Sequence, residues 1–172
     1  MAIPLKSAVV DVVVFGLVLN FVGDPLAALR EMARVAGSRG VIGAYLWDYA
    51  EKMELLRLFW DVAIELDPGA AALDEGSRFP LCRPDGLRGA FASAGLRNIE
   101  ITSIDLPTRF TSFDDYWQPF LGGQGSAPSY VMTLDSDAKD RLRDQLRKRL
   151  PISADGTIDM IARAWAVRAF VD

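Results

Sequence analysis

Two apolar runs joined through one amphipathic helix constrain this chain more than any other feature. Ala8-Val9-Val10-Asp11-Val12-Val13-Val14-Phe15 is almost continuously β-branched. Such a run suits a strand buried on both faces, as in a parallel sheet, better than an alternating edge strand. Asp24-Pro25 then supplies an N-cap and a proline at the first helical position. Leu26, Leu29, Met32, Ala33 and Ala36 follow at helical spacing, and Gly37 closes the helix. Gly40 through Trp47 is a second apolar strand. Strand, helix and strand with short connections make a βαβ unit, whose crossover is right-handed.

The rest of the chain continues the alternation of helices and strands. Glu51 to Leu66 reads as a helix with Met53, Leu56, Trp60, Ala63 and Ile64 on one face, and Asp67 to Arg83 as a loop. Pro84 starts a helix with Leu87, Ala90, Phe91 and Ala94 inward and Gly95 as its stop. Ile99 to Asp105 alternates as a strand, and Ser112 with Asp115 forms a capping box for a short helix through Trp117. Gly122-Gly123-Gln124-Gly125 reads as a loop, because it does not follow a strand. Asp135 to Leu150 is an amphipathic helix, and Asp155-Gly156 turns the chain into a final strand over Ile158 to Val171. No repeat or linker interrupts residues 1–172, so a single α/β domain is expected.

Composition removes several classes of function. The chain has no histidine, which excludes Ser-His-Asp hydrolysis, Cys-His proteolysis and most zinc sites. Its one cysteine, Cys82, excludes an internal disulfide, fits a reducing cytoplasm and reads as a small apolar core residue. A net charge of -4 argues against nucleic acid as the main partner. The basic residues from Arg141 to Arg149 alternate with Asp137, Asp140 and Asp144 as a solvated helix face. No apolar run reaches membrane-spanning length, so a soluble cytoplasmic protein is expected.

With Ile3-Pro4-Leu5, Val10-Asp11 and Leu17 through Asp24-Pro25 in one ungapped register, the opening segment resembles class I S-adenosylmethionine-dependent methyltransferases. In that family a Leu-Pro-Phe loop precedes Phe-Asp and a hydrophobic strand, then a Leu-x-Leu-His-His-x-x-Asp-Pro-like segment. This chain runs Ile3-Pro4-Leu5, Val10-Asp11, then Leu17 through Asp24-Pro25, followed by Leu29-Arg30-Glu31-Met32-Ala33-Arg34-Val35. Asn20 stands where the family often carries a histidine, and Gly37-Ser38-Arg39-Gly40 replaces its Lys-Pro-Gly-Gly turn. Beyond Tyr49 the likeness is to the layout of the family's C-terminal half. The resemblance implies a Rossmann-like methyltransferase sheet, incomplete at its N-terminal half, with strands in the order 4, 5, 7, 6, flanking helices and the last strand antiparallel. The family's Gly-x-Gly-x-Gly loop, after its first strand, and the acidic residue ending its second have no counterpart in this sequence.

Ligands of such sheets sit beyond the carboxyl ends of the parallel strands. By that rule Phe15, Gly16 and Leu17 are candidates for contact with S-adenosylmethionine, and by resemblance Ala2, Ile3 and Pro4 would border its adenine. So near a chain end, these three are expected to fray. Binding to this chain alone would be weak or absent. Asp48 and Tyr49, at the end of the second strand, are candidates for steering or deprotonating an acceptor; Asp48 reads more readily as a helix N-cap, with Trp47 and Tyr49 as packing. Trp47, Phe79, Tyr116 and Trp117, with Arg78, Cys82 and Phe120 nearby in sequence, suggest cover for a small, partly apolar acceptor, and core packing explains the rings as well. If residues 8–15 are the family's fourth strand, their missing neighbour leaves a long apolar edge. A homodimer is expected to cover it, the alternatives being an N-terminal partner chain or a local rearrangement of residues 1–20. Two other roles fit the same sequence: a non-catalytic methyltransferase-like remnant serving as a dimeric scaffold, and a binder of another small ligand.

Overall fold

The protein is described by a computed structural model covering residues 2–172. Four strands, β1 (Val12–Gly16), β2 (Val41–Trp47), β3 (Arg97–Phe110) and β4 (Ile158–Phe170), form one sheet in the order β1-β2-β4-β3. The larger helices are α1 (Pro25–Ala36), α2 (Glu54–Leu66), α3 (Glu75–Arg78), α4 (Pro84–Ser93), α5 (Phe113–Trp117), α6 (Ser126–Thr133) and α7 (Ser136–Arg149). β1 and β2 are parallel, with Val12 opposite Val41 and Gly16 opposite Tyr45. β4 runs antiparallel to β2, as expected of the last strand. The ion pairs Arg97–Asp172, Glu100–Arg168 and Arg109–Asp159 descend one strand as they climb the other, so β3 and β4 are antiparallel too.

The contacts divide the chain into two compact units. A sheet unit contains Met1–Asp48, Phe79–Ile104 and Arg163–Asp172; a helical unit contains Tyr49–Arg78 and Asp105–Ala162. β3 and β4 each pass from one unit into the other, which is why no linker composition marks the division.

In the sheet unit, α1 follows the local rules closely. Asp24 caps it by accepting from the Ala27 N–H at 2.9 Å, Pro25 opens it, and Gly37 ends it at φ 70° with its N–H on the Ala33 carbonyl. Gly37 also has no room for a Cβ, which would lie 2.4 Å from that of Ala8. That close approach explains a correction at the first strand. Residues 8–10 do not extend β1 but dock on the end of α1. The N–H of Ala8 donates to the Arg34 carbonyl at 3.0 Å, and those of Val9 and Val10 to the Val35 carbonyl at 2.9 and 3.3 Å. Helix-end carbonyls without partners in the helix thereby receive donors, and strand pairing starts only at Val12.

The two faces of this sheet differ. One carries Val13 and Phe15, Ile42, Ala44 and Leu46, and Val167 and Ala169, which join Leu29, Met32, Leu87 and Phe91 of α1 and α4 in a core. The alternate positions, Val12, Val14, Tyr45 and Arg168, are exposed. The helical unit instead closes on itself around Phe59, Trp60, Tyr116, Phe120, Tyr130, Leu142 and Leu146. Within it, the expected loop over residues 67–83 contributes a 3-10 turn at Pro68–Leu73 and the short α3. Among the described residues, no helix is long and apolar enough to cross a membrane.

Candidate functional site

The carboxyl ends of β1 and β2 lie together at one end of the sheet unit, because the two strands are parallel and in register. The predicted trio at the end of β1 divides between the faces. Phe15 turns to the core, opposite Ala44, whereas Gly16 turns to the exposed face, opposite Tyr45. The Tyr45 ring lies over Gly16: a Cβ there would fall 2.3 Å from the phenol oxygen. Leu17 takes φ 56°, a left-handed conformation that a branched side chain rarely adopts, and its N–H donates to the Tyr45 carbonyl at 2.8 Å. Strain of this kind costs about 1–3 kcal/mol and concentrates at ligand sites. Three residues on, in the 3-10 turn Leu19–Phe21, the Oδ1 of Asn20 is buried with no hydrogen-bond partner.

The segment before β1 is held rather than frayed. The N–H of Ile3 donates to Glu31 at 2.8 Å, and Arg34 donates to the carbonyls of Ile3 and Leu5 at 3.2 and 3.0 Å. Arg34 and Glu31 also pair directly at 2.7 Å, one helical turn apart on α1. The Arg34 guanidinium, helped by the Ile3 N–H, lowers the Glu31 carboxyl to about 2. Ile3 is half-buried by these contacts, while Ala2 and Pro4 are exposed.

At the end of β2, Trp47 lies opposite Ala164 and turns to the same face as Tyr45. Asp48 follows, 1% exposed, with its N–H on the Arg163 carbonyl at 2.9 Å. A carboxylate buried this deeply at a strand end is unusual unless it is used or bonded. Tyr49 begins the helical unit. Phe79 is half-buried in the sheet unit and meets Phe21 edge to face at 5.2 Å. Cys82 is fully buried in the same unit. Tyr116 and Trp117 belong to the helical core at 0% and 5% exposure, as does Phe120. The Tyr116 hydroxyl donates to the Leu55 carbonyl at 3.2 Å, and burial pushes its pKa far up. A separate cleft in the helical unit is lined by Leu73, Arg78, Gly125, Ser126, Ser129, Tyr130 and Thr133.

Sequence reasoning missed the strained Leu17, the buried Asn20 oxygen and the Tyr45 ring over Gly16. The first had a readable hint, a β-branched run ending in glycine; the other two depend on strand register.

Residues 1–43, which contain β1, α1 and the start of β2, match the methyltransferase-domain family. A candidate methyltransferase from an antibiotic biosynthesis pathway of Anabaena variabilis has a similar structure, at 18% identity and a TM-score of 0.55. The match covers 95% of this chain and 68% of that one. A candidate methyltransferase of Bacillus halodurans C-125 (12% identity, TM-score 0.53) and the YcgJ protein of Bacillus subtilis (15%, 0.52) align over 98% of this chain. The chain carries the class I methyltransferase fold. It spans 67% of the length of both Bacillus proteins, so a third of this methyltransferase fold lies outside what it matches. No functionally curated protein matches it in sequence.

Proposed function

We propose that this chain is the C-terminal part of an S-adenosylmethionine-dependent methyltransferase for a small acceptor, and that it carries one side of the cofactor site. The observation behind the reading is the coincidence of the family match over residues 1–43 with the βαβ unit whose parallel strands end side by side. The residues present fit one end of the cofactor. The strained turn at Leu17 and the orphaned Asn20 oxygen suit an adenine ring with an amino group to donate. Nothing among them makes the cradle of backbone N–H groups that the methionine carboxylate needs, and the Tyr45 ring occupies the approach to Gly16. The pinned Ile3 would border the adenine, with Ala2 and Pro4 beside it.

Bound S-adenosylmethionine would supply an activated methyl group; the chain's task is to align the acceptor and exclude water. Asp48 would take a proton from an acceptor that must lose one, with Trp47 and Tyr49 on either side of it in the chain.

Calorimetric titration with S-adenosylhomocysteine tests the reading. Weak binding, abolished by Asn20→Leu, is the expected result. Absence of binding at millimolar ligand, with the fold intact by circular dichroism, would instead support a scaffold without catalysis.

A further inference from the structure

We infer that the cleft in the helical unit binds a small organic acid, with Arg78 and Ser126 holding its carboxylate and Leu73 and the Tyr130 ring its apolar body. The inference stands apart from the proposed function, because every residue lining the cleft belongs to the helical unit.

The size and the apolar lining suit such a ligand. The cleft has a volume of about 520 Å³, within the range of pockets that take small molecules. Leu73 is 39% exposed there, and Tyr130 is fixed by ring contacts with Phe59 and Trp60 at 6.4 and 5.9 Å.

Charge sets the class of ligand. Of the described residues that line the cleft, Arg78 alone is charged. Its Nη1 donates to the Ser126 Oγ at 3.3 Å, so guanidinium and hydroxyl meet on one cleft. A guanidinium carries five N–H donors in a planar fork, which matches the two oxygens of a carboxylate. The bond to Ser126 uses one of those donors, and the serine keeps its own proton to give. The other hydroxyls spend their protons on the protein. Ser129 donates to the Gly123 carbonyl at 3.3 Å, Thr133 to the Tyr130 carbonyl at 2.7 Å, and Tyr130 to Asp67 at 3.3 Å. Burial, with Asp67 adding to it, raises the Tyr130 pKa, so the phenol stays neutral beside an anion. One cation and one hydroxyl donor suit a single negative charge better than a phosphate dianion.

The turn that carries Arg78 is pinned. α3 is four residues long, too short to persist as a helix by itself. Asp74 accepts both nitrogens of the Arg57 fork, at 2.6 and 3.0 Å, and the Gly76 N–H at 2.8 Å. Glu75 accepts from the Trp60 Nε1 at 2.6 Å. Apolar packing in place of such buried pairs is often neutral or stabilising. What the pairs add here is position, since they tie the backbone before Arg78 to α2 at two points. A pre-positioned side chain loses less freedom when it takes a ligand.

Calorimetry and amide-shift mapping with phenylbutanoate test the inference, with phenylbutanol as the uncharged control. The acid should bind with a Kd below about 1 mM, and the alcohol at least about tenfold more weakly. The acid should also move the amide resonances of Ser126, Ser129 and Thr133. Arg78→Met, a change at an exposed side chain, should weaken the acid at least about tenfold and leave the alcohol unchanged. Arg78→Lys keeps the charge but loses the fork, so its affinity should fall between the two. Ser126→Ala, with circular dichroism as the check on folding, should weaken the acid about threefold. Equal binding of acid and alcohol, or no binding of the acid at millimolar concentration, would overturn the inference. So would an Arg78→Met protein that holds the acid as well as the parent, or inorganic phosphate moving the same amides at the same concentration.

Discussion

The helical unit and the sheet unit solve the burial of apolar surface in opposite ways. The helical unit closes around its own rings: Phe59 stacks on Phe120 at 4.5 Å, Trp60 lies edge-on to Phe59 at 5.1 Å, and Tyr130 joins both. Several of its buried polar groups are paired within it. Arg57 forks onto Asp74 at 2.6 and 3.0 Å, and the Trp60 Nε1 donates to Glu75 at 2.6 Å. The sheet unit has one finished face and one open face. The strained Leu17 and the orphaned Asn20 oxygen lie just beyond the end of β1. The contrast teaches that the helical unit buries its apolar side chains within itself, whereas the sheet unit leaves one apolar face exposed.

Substitutions can break that comparison, beginning in the closed core. Phe59→Ala should destabilise the protein by about 3–5 kcal/mol in denaturant titration, because a fully buried ring leaves a cavity. Arg57→Ala should cost about 3 kcal/mol, since it strands the carboxylate of Asp74 at 5% exposure. Gly76→Ala should cost about 1–3 kcal/mol, as the added Cβ would lie 2.6 Å from the Tyr49 carbonyl oxygen, backbone that cannot swing aside. On the open face the same change should be mild. Gly16→Ala meets only the far end of the half-exposed Tyr45, so its cost should stay below about 1 kcal/mol. Its signature is instead a shifted Tyr45 ring resonance. If Gly16→Ala costs as much as Gly76→Ala, the open face is not open.

A pH titration sharpens the comparison at its smallest scale. Glu31 is lowered from 4.5 to about 2 by Arg34 and Ile3, so its folded form favours the charged carboxylate. Docking of residues 3–7 on α1 should therefore be complete above pH 4.5 and lost as pH falls from there through about 2. The Ile3 amide resonance reports it. The core of the helical unit should not change over that window if its stability is independent of this pairing.

Much of the architecture was legible because local signals agreed. Asp24-Pro25 and Gly37 bound α1 where they should, Ser112 accepts from the Asp115 N–H at 3.2 Å, and Asp135 caps α7. Strand ends were less legible. β3 runs to Phe110, past Pro107, because it is an edge strand, where a missing N–H is tolerated. α6 escaped notice because Pro128 and the glycines before it weaken the helical pattern. The four glycine-rich residues before α6 are irregular as read, with Gly123 and Gly125 at positive φ. The neighbouring ends of β1 and β2 were legible as a place, but their geometry was not. Tyr45 reaches Gly16 only through the register of two strands that the chain separates by an entire helix.

The position of β4 between β2 and β3 also governs how the sheet can assemble. β3 emerges from the chain before β4, and residues Thr111 to Thr157 intervene before β4 begins. Until then β2 has a vacant antiparallel side, and β3 is the nearest strand able to fill it wrongly. Native assembly requires that side to wait for a strand distant in sequence, so refolding should be slow relative to the formation of the helices.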